Sequence, residues 1–320
     1  MQPDVSFVIA AYNAEAGIAR AIESALAQRD VSVEVVVVDD CSRDRTVEIA
    51  RAFPPQQVKV IALDRNRGPG GARNAGLDAA SGRWIAILDS DDTVHPDRLR
   101  RLIDRAEDGG ALIAVDNLEV VEEGAGDPKT MFETDFLEAL PELDLAAFIA
   151  GNLMFEGRFS FGYVKPLFER AFIQCEGLRY DESLRIGEDY LLLASALARG
   201  GRCIVEPRVG YSYHIRGGSI SRVLELHHVE AMLEADAEFV RAHRLDPEAQ
   251  LAQARRTRSL QQAASFLLLV RQLKEGTPLR AAGTALRDPA ALRHLRMPIA
   301  ARLRRLASSL QPAGPQARLT

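Results

Sequence analysis

Asp89-Ser90-Asp91-Asp92 places three carboxylates within four residues. Charges of one sign this close repel, and a divalent cation relieves the repulsion. All-oxygen ligation favours magnesium or manganese over zinc, with positions left open for phosphate oxygens. The same residues could instead form a charged turn before a helix, since Pro96 suits a first helical turn. A second cluster, Asp39-Asp40-Cys41-Ser42, follows a strongly apolar run. A carboxylate there could accept the N3–H of a uracil, a contact cytosine cannot make; it could equally cap the next helix. A third pair, Glu188-Asp189, lies in Arg185-Ile186-Gly187-Glu188-Asp189-Tyr190 and opens a helix. The helix dipole favours acids at that place, and a general base facing a substrate is the functional reading.

Two cationic segments accompany the acids. Asn66-Arg67-Gly68-Pro69-Gly70-Gly71-Ala72-Arg73-Asn74 sets glycines before a helix, which suggests backbone amides near a phosphate and Arg73 paired with a diphosphate. It is not a P-loop. Nor does it follow the first strand, which runs into Ala10-Ala11-Tyr12-Asn13 without a glycine; that argues against a nicotinamide dehydrogenase. In the loop-like stretch Tyr211 to Ser221, Arg216 could close over a phosphate or simply be solvated. The six histidines form no HExxH, and no Ser–His–Asp arrangement can be argued.

The elements that must position these residues alternate. Strands are expected at Val5 to Ala10, Val33 to Val38, Val58 to Leu63, Trp84 to Leu88 and Leu112 to Val115. Helices are expected at Ala14 to Gln28, near Thr46 to Phe53, at Ala72 to Ala80 after a flexible Gly68–Gly71 turn, and from Pro96 to Arg105. Such alternation gives a mainly parallel sheet flanked by helices, which binds ligands beyond the carboxyl ends of its strands. The first and second clusters sit at two such ends. Acidic 119–127 reads as a solvated hairpin or loop, 163–184 as short strands and turns, 188–199 as helix and 203–205 as a short strand. From Val223 onward the chain reads helical.

The 320 residues carry 40 basic and 45 acidic side chains, a net charge of −5, and are 47% hydrophobic. This is ordinary globular composition and excludes disordered, collagen-like and disulfide-stapled classes. Neither the charge nor any aromatic-plus-basic array suggests nucleic acid. The three cysteines form no pair or zinc spacing and are expected to be reduced, apolar fillers. With no signal-peptide pattern or membrane-length apolar run, the expected location is cytoplasmic. Residues 276–320 hold eight arginines and one acid, for a net of +7. Leu292, Leu295, Ile299, Leu303 and Leu306 could share a helical stripe there. That tail is either a solvated helix or a surface for peripheral contact with the inner face of the plasma membrane, or with a partner.

Taken together and in order, Val5 to Asn13, Val38 to Ser42, Asn66 to Gly76, Leu88 to Asp92 and Gly187-Glu188-Asp189-Tyr190, with His214 to Ser221, resemble the family 2 glycosyltransferases of GT-A fold. The likeness covers roughly residues 4 to 222, and within the family the sequence looks most like bacterial exopolysaccharide enzymes of succinoglycan type. It implies a GT-A domain over 1–222, with a nucleotide-binding half to about 116 and an acceptor half from 117, then a helical extension over 223–320. It further implies that Ala10, Tyr12 and Asn13 line the uracil and ribose, that Asp40 reads the uracil with Asp39 beside it, and that Arg73 lies near the nucleotide. Asp89, Ser90 and Asp91 would meet ribose and diphosphate, Asp91 and Asp92 the manganese or magnesium, and Arg216 the phosphates. Asp189 would be the catalytic base, with Glu188 as its alternate should the alignment shift by one.

The implied activity is metal-dependent inverting transfer of a sugar, glucose first, from a UDP-sugar to a glycan or lipid-linked oligosaccharide. Ala10-Ala11 and Cys41 depart from the family's usual residues. A non-catalytic sugar-nucleotide-binding protein would have lost the DxD or ED carboxylates. A nucleotidyltransferase would carry a glycine-rich basic loop after its first strand.

Overall fold

Four parallel strands form one half of the sheet, and their sequences explain why. The computed structural model describes residues 2–122, 127–156, 160–215 and 224–295. Strands β1 (Val5–Ala11), β2 (Val33–Asp39), β3 (Val58–Ala62) and β4 (Trp84–Ile87) alternate with helices α1 (Ile18–Leu26), α2 (Thr46–Arg51) and α3 (Gly68–Ala79). Val35 to Val38 of β2 and Phe7 to Ile9 of β1 are fully buried, as expected of strands covered on both faces. β1 and β2 run in parallel register from Val5↔Val33 to Ala11↔Asp39, so their carboxyl ends finish level.

The other half is mixed. Strand β5 (Thr93–Val94), helix α4 (Arg98–Gly109), β6 (Ile113–Glu122), β7 (Lys129–Thr130), α5 (Thr134–Glu138) and α6 (Leu145–Ala150) come next, then β8 (Leu167–Glu169), α7 (Arg170–Cys175), α8 (Glu188–Ala198) and β9 (Cys203–Ile215). Among the described residues the sheet order is β3-β2-β1-β4-β8-β6-β9-β5, with β7 paired to β6. β8 is antiparallel to both β4 and β6, whereas β9 is parallel to β6. An antiparallel strand begins where its neighbours end. The residues just before β8 are therefore delivered to the carboxyl end of β4.

Two of the expected elements are corrected and one open alternative is resolved. The Gly68–Gly71 turn is the first turn of α3, and side chains at these glycines would collide with Arg185, Asp181 and Arg67, so the helix and its neighbours require the bare backbone. The acidic segment takes the hairpin alternative, because β6 continues to Glu122 and pairs antiparallel with β7. Tyr211 to Ile215 is the end of the 13-residue strand β9 and not a loop. Its polar residues have partners across the sheet, as where Ser212 Oγ donates to Glu119 at 2.7 Å. That pairing hides the apolar alternation by which a strand is recognised. Of the cysteines, Cys203 is a buried filler, but Cys41 and Cys175 are exposed.

Helices α9 (Leu226–Ala242), α10 (Pro247–Lys274) and α11 (Pro278–Arg287) follow β9 among the described residues. Phe239, Leu245, Ala249 and Ala252 join the same apolar core as the sheet. A buried polar contact adds to this: Arg256 of α10 pairs with Asp236 of α9 at 2.8 Å, donates to Asn152 O at 2.7 Å and stacks 3.5 Å over the Tyr190 ring of α8. On α11, Leu279 and Leu286 are 88% and 81% exposed. Of the expected apolar stripe, Leu292 and Leu295 lie in the short 3₁₀ helix Pro289–Leu295, where Leu292 is exposed, and Ile299, Leu303 and Leu306 lie outside the described residues.

Candidate active site

The first wall of the site stands beyond β1 and β2. Asp40 N donates to Ala11 O at 2.8 Å, which ties the two strand ends together. Cys41 then takes a left-handed conformation (φ 67°), as does Asn13 (φ 49°), and the tight turns so formed expose Tyr12. Asn13 Oδ1 accepts from Arg43 N at 2.9 Å. Ala10 is partly exposed beside them. The paired aspartates divide their work. Asp40 accepts from the Arg67 and Gly68 amides at 2.6 and 2.9 Å, so the first amides of α3 serve a protein carboxylate and are not left for phosphate. Burial raises the Asp40 carboxyl above its ordinary range, against the pull of those amides. Asp39 accepts from Ser42 N with one oxygen, and its Oδ1 is buried without a hydrogen-bond partner among the described residues. An acceptor left bare in this way is costly unless a ligand donor meets it.

Five charged groups from four elements meet below this wall. Arg73 of α3 is buried and donates to Asp89 at 2.7 Å and to Glu188 at 2.6 Å, with Asp189 Oδ1 at 3.2 Å. Lys165 Nζ lies 2.8 Å from Asp89 Oδ2 and 2.7 Å from Asp189 Oδ2. Three carboxylates thus face two cations in a water-poor setting. Burial raises the Asp89 carboxyl, but Lys165 and Arg73 outweigh it and hold the group well below the carboxylate range. Burial and then Asp189 push Glu188 the other way. Glu188 and Asp189 open α8 behind Gly187 (φ 93°), which packs against Met232 of α9. Asn74 fixes the preceding segment to α3, exchanging hydrogen bonds with the Tyr180 backbone at 2.9 Å each way.

The turn beyond β4 sorts the remaining acids. Asp92 N donates to Asp89 O at 3.2 Å, with Ser90 and Asp91 partly exposed between them. Asp92 itself is fully buried. Its oxygens accept from Tyr211 OH at 2.7 Å and from His214 N at 2.8 Å. Burial, and after it Asp89 and Asp91, push this carboxyl well above its ordinary range. Both Asp92 oxygens are thus engaged by donors from β9, which braces the turn. Among the described residues no three His, Cys, Asp or Glu side chains converge as a metal cage. Magnesium and manganese need only one or two carboxylates when phosphates complete the sphere, and Asp91 in the turn fits that demand.

Of the expected residues, Arg73, Asp89, Glu188 and Asp189 meet in one network. Arg73 is an internal hub, Asp92 braces the turn through β9, and Arg216 lies outside the described residues. Lys165 was missed. The sequence marks it only as one cation within the otherwise uncharged run Phe159 to Phe168.

A parallel strand-and-helix half, an inserted antiparallel strand and an acidic centre at the strand ends define the GT-A glycosyltransferase fold. The sequence profile of "Glycosyl transferase family 2" matches residues 6–172, and the chain belongs to that family. It is 62% identical over 306 residues to the "Succinoglycan biosynthesis protein ExoO" of Rhizobium meliloti (strain 1021), covering 96% of this chain and 88% of that one. The fold is shared with S. aureus TarS 1-349 in complex with UDP-GlcNAc (TM-score 0.60, 22% identity, 84% of this chain and 72% of that one). It is also shared with the mannosyltransferase PcManGT from Pyrobaculum calidifontis in complex with GDP-Man and Mn2+ (TM-score 0.60, 19% identity, 95% and 81%). Among the described residues no helix is long and apolar enough to cross a membrane.

Proposed function

We propose that this glycosyltransferase moves a sugar, glucose as first candidate, from a UDP-sugar to an acceptor hydroxyl in the synthesis of succinoglycan or a similar exopolysaccharide. The observation that carries the reading is Asp189, a carboxylate 19% exposed that, with Asp89 at 25%, forms the open side of a charge network whose other members, Arg73, Lys165 and Glu188, are buried. Asp189 takes the acceptor hydroxyl proton as that oxygen bonds to the anomeric carbon. The bond from that carbon to the diphosphate breaks, its electron pair leaves with UDP, and one displacement inverts the centre through an oxocarbenium-like state. Asp39 and Asp40 supply the carboxylates beside the uracil, and the bare Oδ1 of Asp39 is the acceptor available to its N3–H. Asp91 would hold manganese or magnesium, which when bound offsets the charge of the diphosphate.

The expected acceptor is a glycan or lipid-linked oligosaccharide. Exposed Leu279 and Leu286 beside Arg280 and Arg287 support contact with an anionic membrane face. Loss of vesicle co-sedimentation on truncation near residue 275 is the outcome this contact requires.

Calorimetric titration with UDP, GDP, CDP and NAD, with and without manganese, tests the donor. Metal-dependent UDP binding that is lost in Asp39→Ala or Asp91→Ala supports the reading. Preference for GDP, or no UDP binding in either condition, overturns the donor assignment.

A further inference from the structure

Lys165 carries an ammonium group into a site otherwise built by Arg73 of α3 and residues at the end of β4 and the start of α8. Its side chain is 7% exposed, and Nζ bridges Asp89 and Asp189 at 2.8 and 2.7 Å. Burial works against the charge of the amine, but the two carboxylates overcome it and raise the amine above its ordinary range. The backbone beneath is also held. Lys165 O accepts from Arg98 Nη2 at 2.6 Å, and Arg98, fully buried, grips Asp116 with two bonds of 2.8 and 2.9 Å. Arg98 stacks 5.3 Å from the centre of the Tyr211 ring, whose hydroxyl reaches Asp92. A cation with a fixed root and two fixed partners has little freedom to do anything but orient them.

The two oxygens of Asp189 differ. Oδ2 takes the Lys165 hydrogen bond at 2.7 Å. Oδ1 has a looser ion-pair contact with Arg73 at 3.2 Å. Resting on the reading of Asp189 as the base, we infer that Lys165 is a positioning residue that occupies Oδ2 and so presents Oδ1 to the acceptor hydroxyl. Asp89, at the end of β4 and held by the same amine, sets the distance between the donor side of the site and the base.

Full-length wild type, Lys165→Met, Lys165→Ala and Asp189→Asn are compared by UDP release from whichever of UDP-glucose, UDP-galactose and UDP-N-acetylglucosamine supports wild-type turnover. UDP binding is followed in parallel by calorimetry. A misaimed base costs about 10²-fold, so kcat in both lysine variants should fall by that order while UDP still binds. Ethylammonium should restore Lys165→Ala, whose cavity can admit it, and should not restore Lys165→Met. A merely structural lysine yields no such rescue. Wild-type kcat in Lys165→Met alongside loss in Asp189→Asn overturns the inference alone. So does a loss in Lys165→Ala that no amine repairs. Normal turnover in Asp189→Asn overturns the base reading, and this inference with it.

Discussion

Arg73 and Glu188 are 115 positions apart in the chain, yet Nη1 of one lies 2.6 Å from Oε1 of the other. This contact joins α3 of the parallel half to the start of α8. It makes the two motifs a single electrostatic unit, because the same guanidinium also binds Asp89 and faces Asp189. Removing one member exposes unpaired charge on the others, so variants here should be read by binding as well as by rate.

Asp189→Asn keeps the shape and removes the base. Turnover should fall by about 10²–10⁴-fold, the usual range of general-base catalysis. UDP affinity should persist in the same preparation. Near-normal turnover in a rate assay counts against Asp189.

Asp91 and Asp92 should separate cleanly. Asp91→Ala should abolish the manganese dependence of UDP binding. Asp92→Ala should leave metal dependence in place but lower stability by about 1–3 kcal/mol, because the buried Tyr211 hydroxyl and His214 amide lose their acceptor. Calorimetry and thermal melts on the two variants decide between them.

Acid should loosen the site through Asp89. Its carboxyl is held below the ordinary value of 3.8 despite burial, since Lys165 and Arg73 prevail. The ionised form therefore favours the fold. That contribution is complete above the unfolded value and is lost as pH falls through the folded one. The melting temperature should drop on the acid side, and Asp89→Asn should be less stable at neutral pH with a flatter acid limb.

Arg256 should matter well away from the reacting atoms. Both it and Asp236 have side chains 5% exposed, and Arg256 covers the Tyr190 ring next to Asp189 in sequence. Arg256→Met leaves Asp236 buried without its cation, with only the Gln253 amide at 3.0 Å donating to it, at a cost of about 3 kcal/mol. Denaturant unfolding would show it. A smaller effect from the double variant Arg256→Met with Asp236→Leu would assign the loss to the stranded charge.

Much of this was legible one element at a time. Apolar runs such as Val35 to Val38 have only one comfortable place, inside a covered sheet, and alternation with helices makes that sheet parallel. Parallel strands share a carboxyl edge, so Asp39, Asp40 and Asp89 had to lie along the same side of the sheet. Glu188-Asp189 was recognisable from its motif and its place at a helix start. Local patterning carries this information because it depends only on residue spacing along one strand or helix.

Partnership between distant segments has no such local trace. The three residues of β8 run antiparallel between β4 and β6, and that placement brings Lys165 to the strand ends. Polar pairing across β6 and β9 disguised Tyr211 to Ile215 as loop, although Tyr211 and His214 are what engage Asp92. Residue types and order alone determined the family, the parallel half and the identity of the acids. The tertiary structure decided which acid is paired with Lys165 and Arg73, which is held by Tyr211 and His214, and which keeps a bare oxygen. A carboxylate's role depends on the charges and donors within a few ångströms, and only packing brings those together.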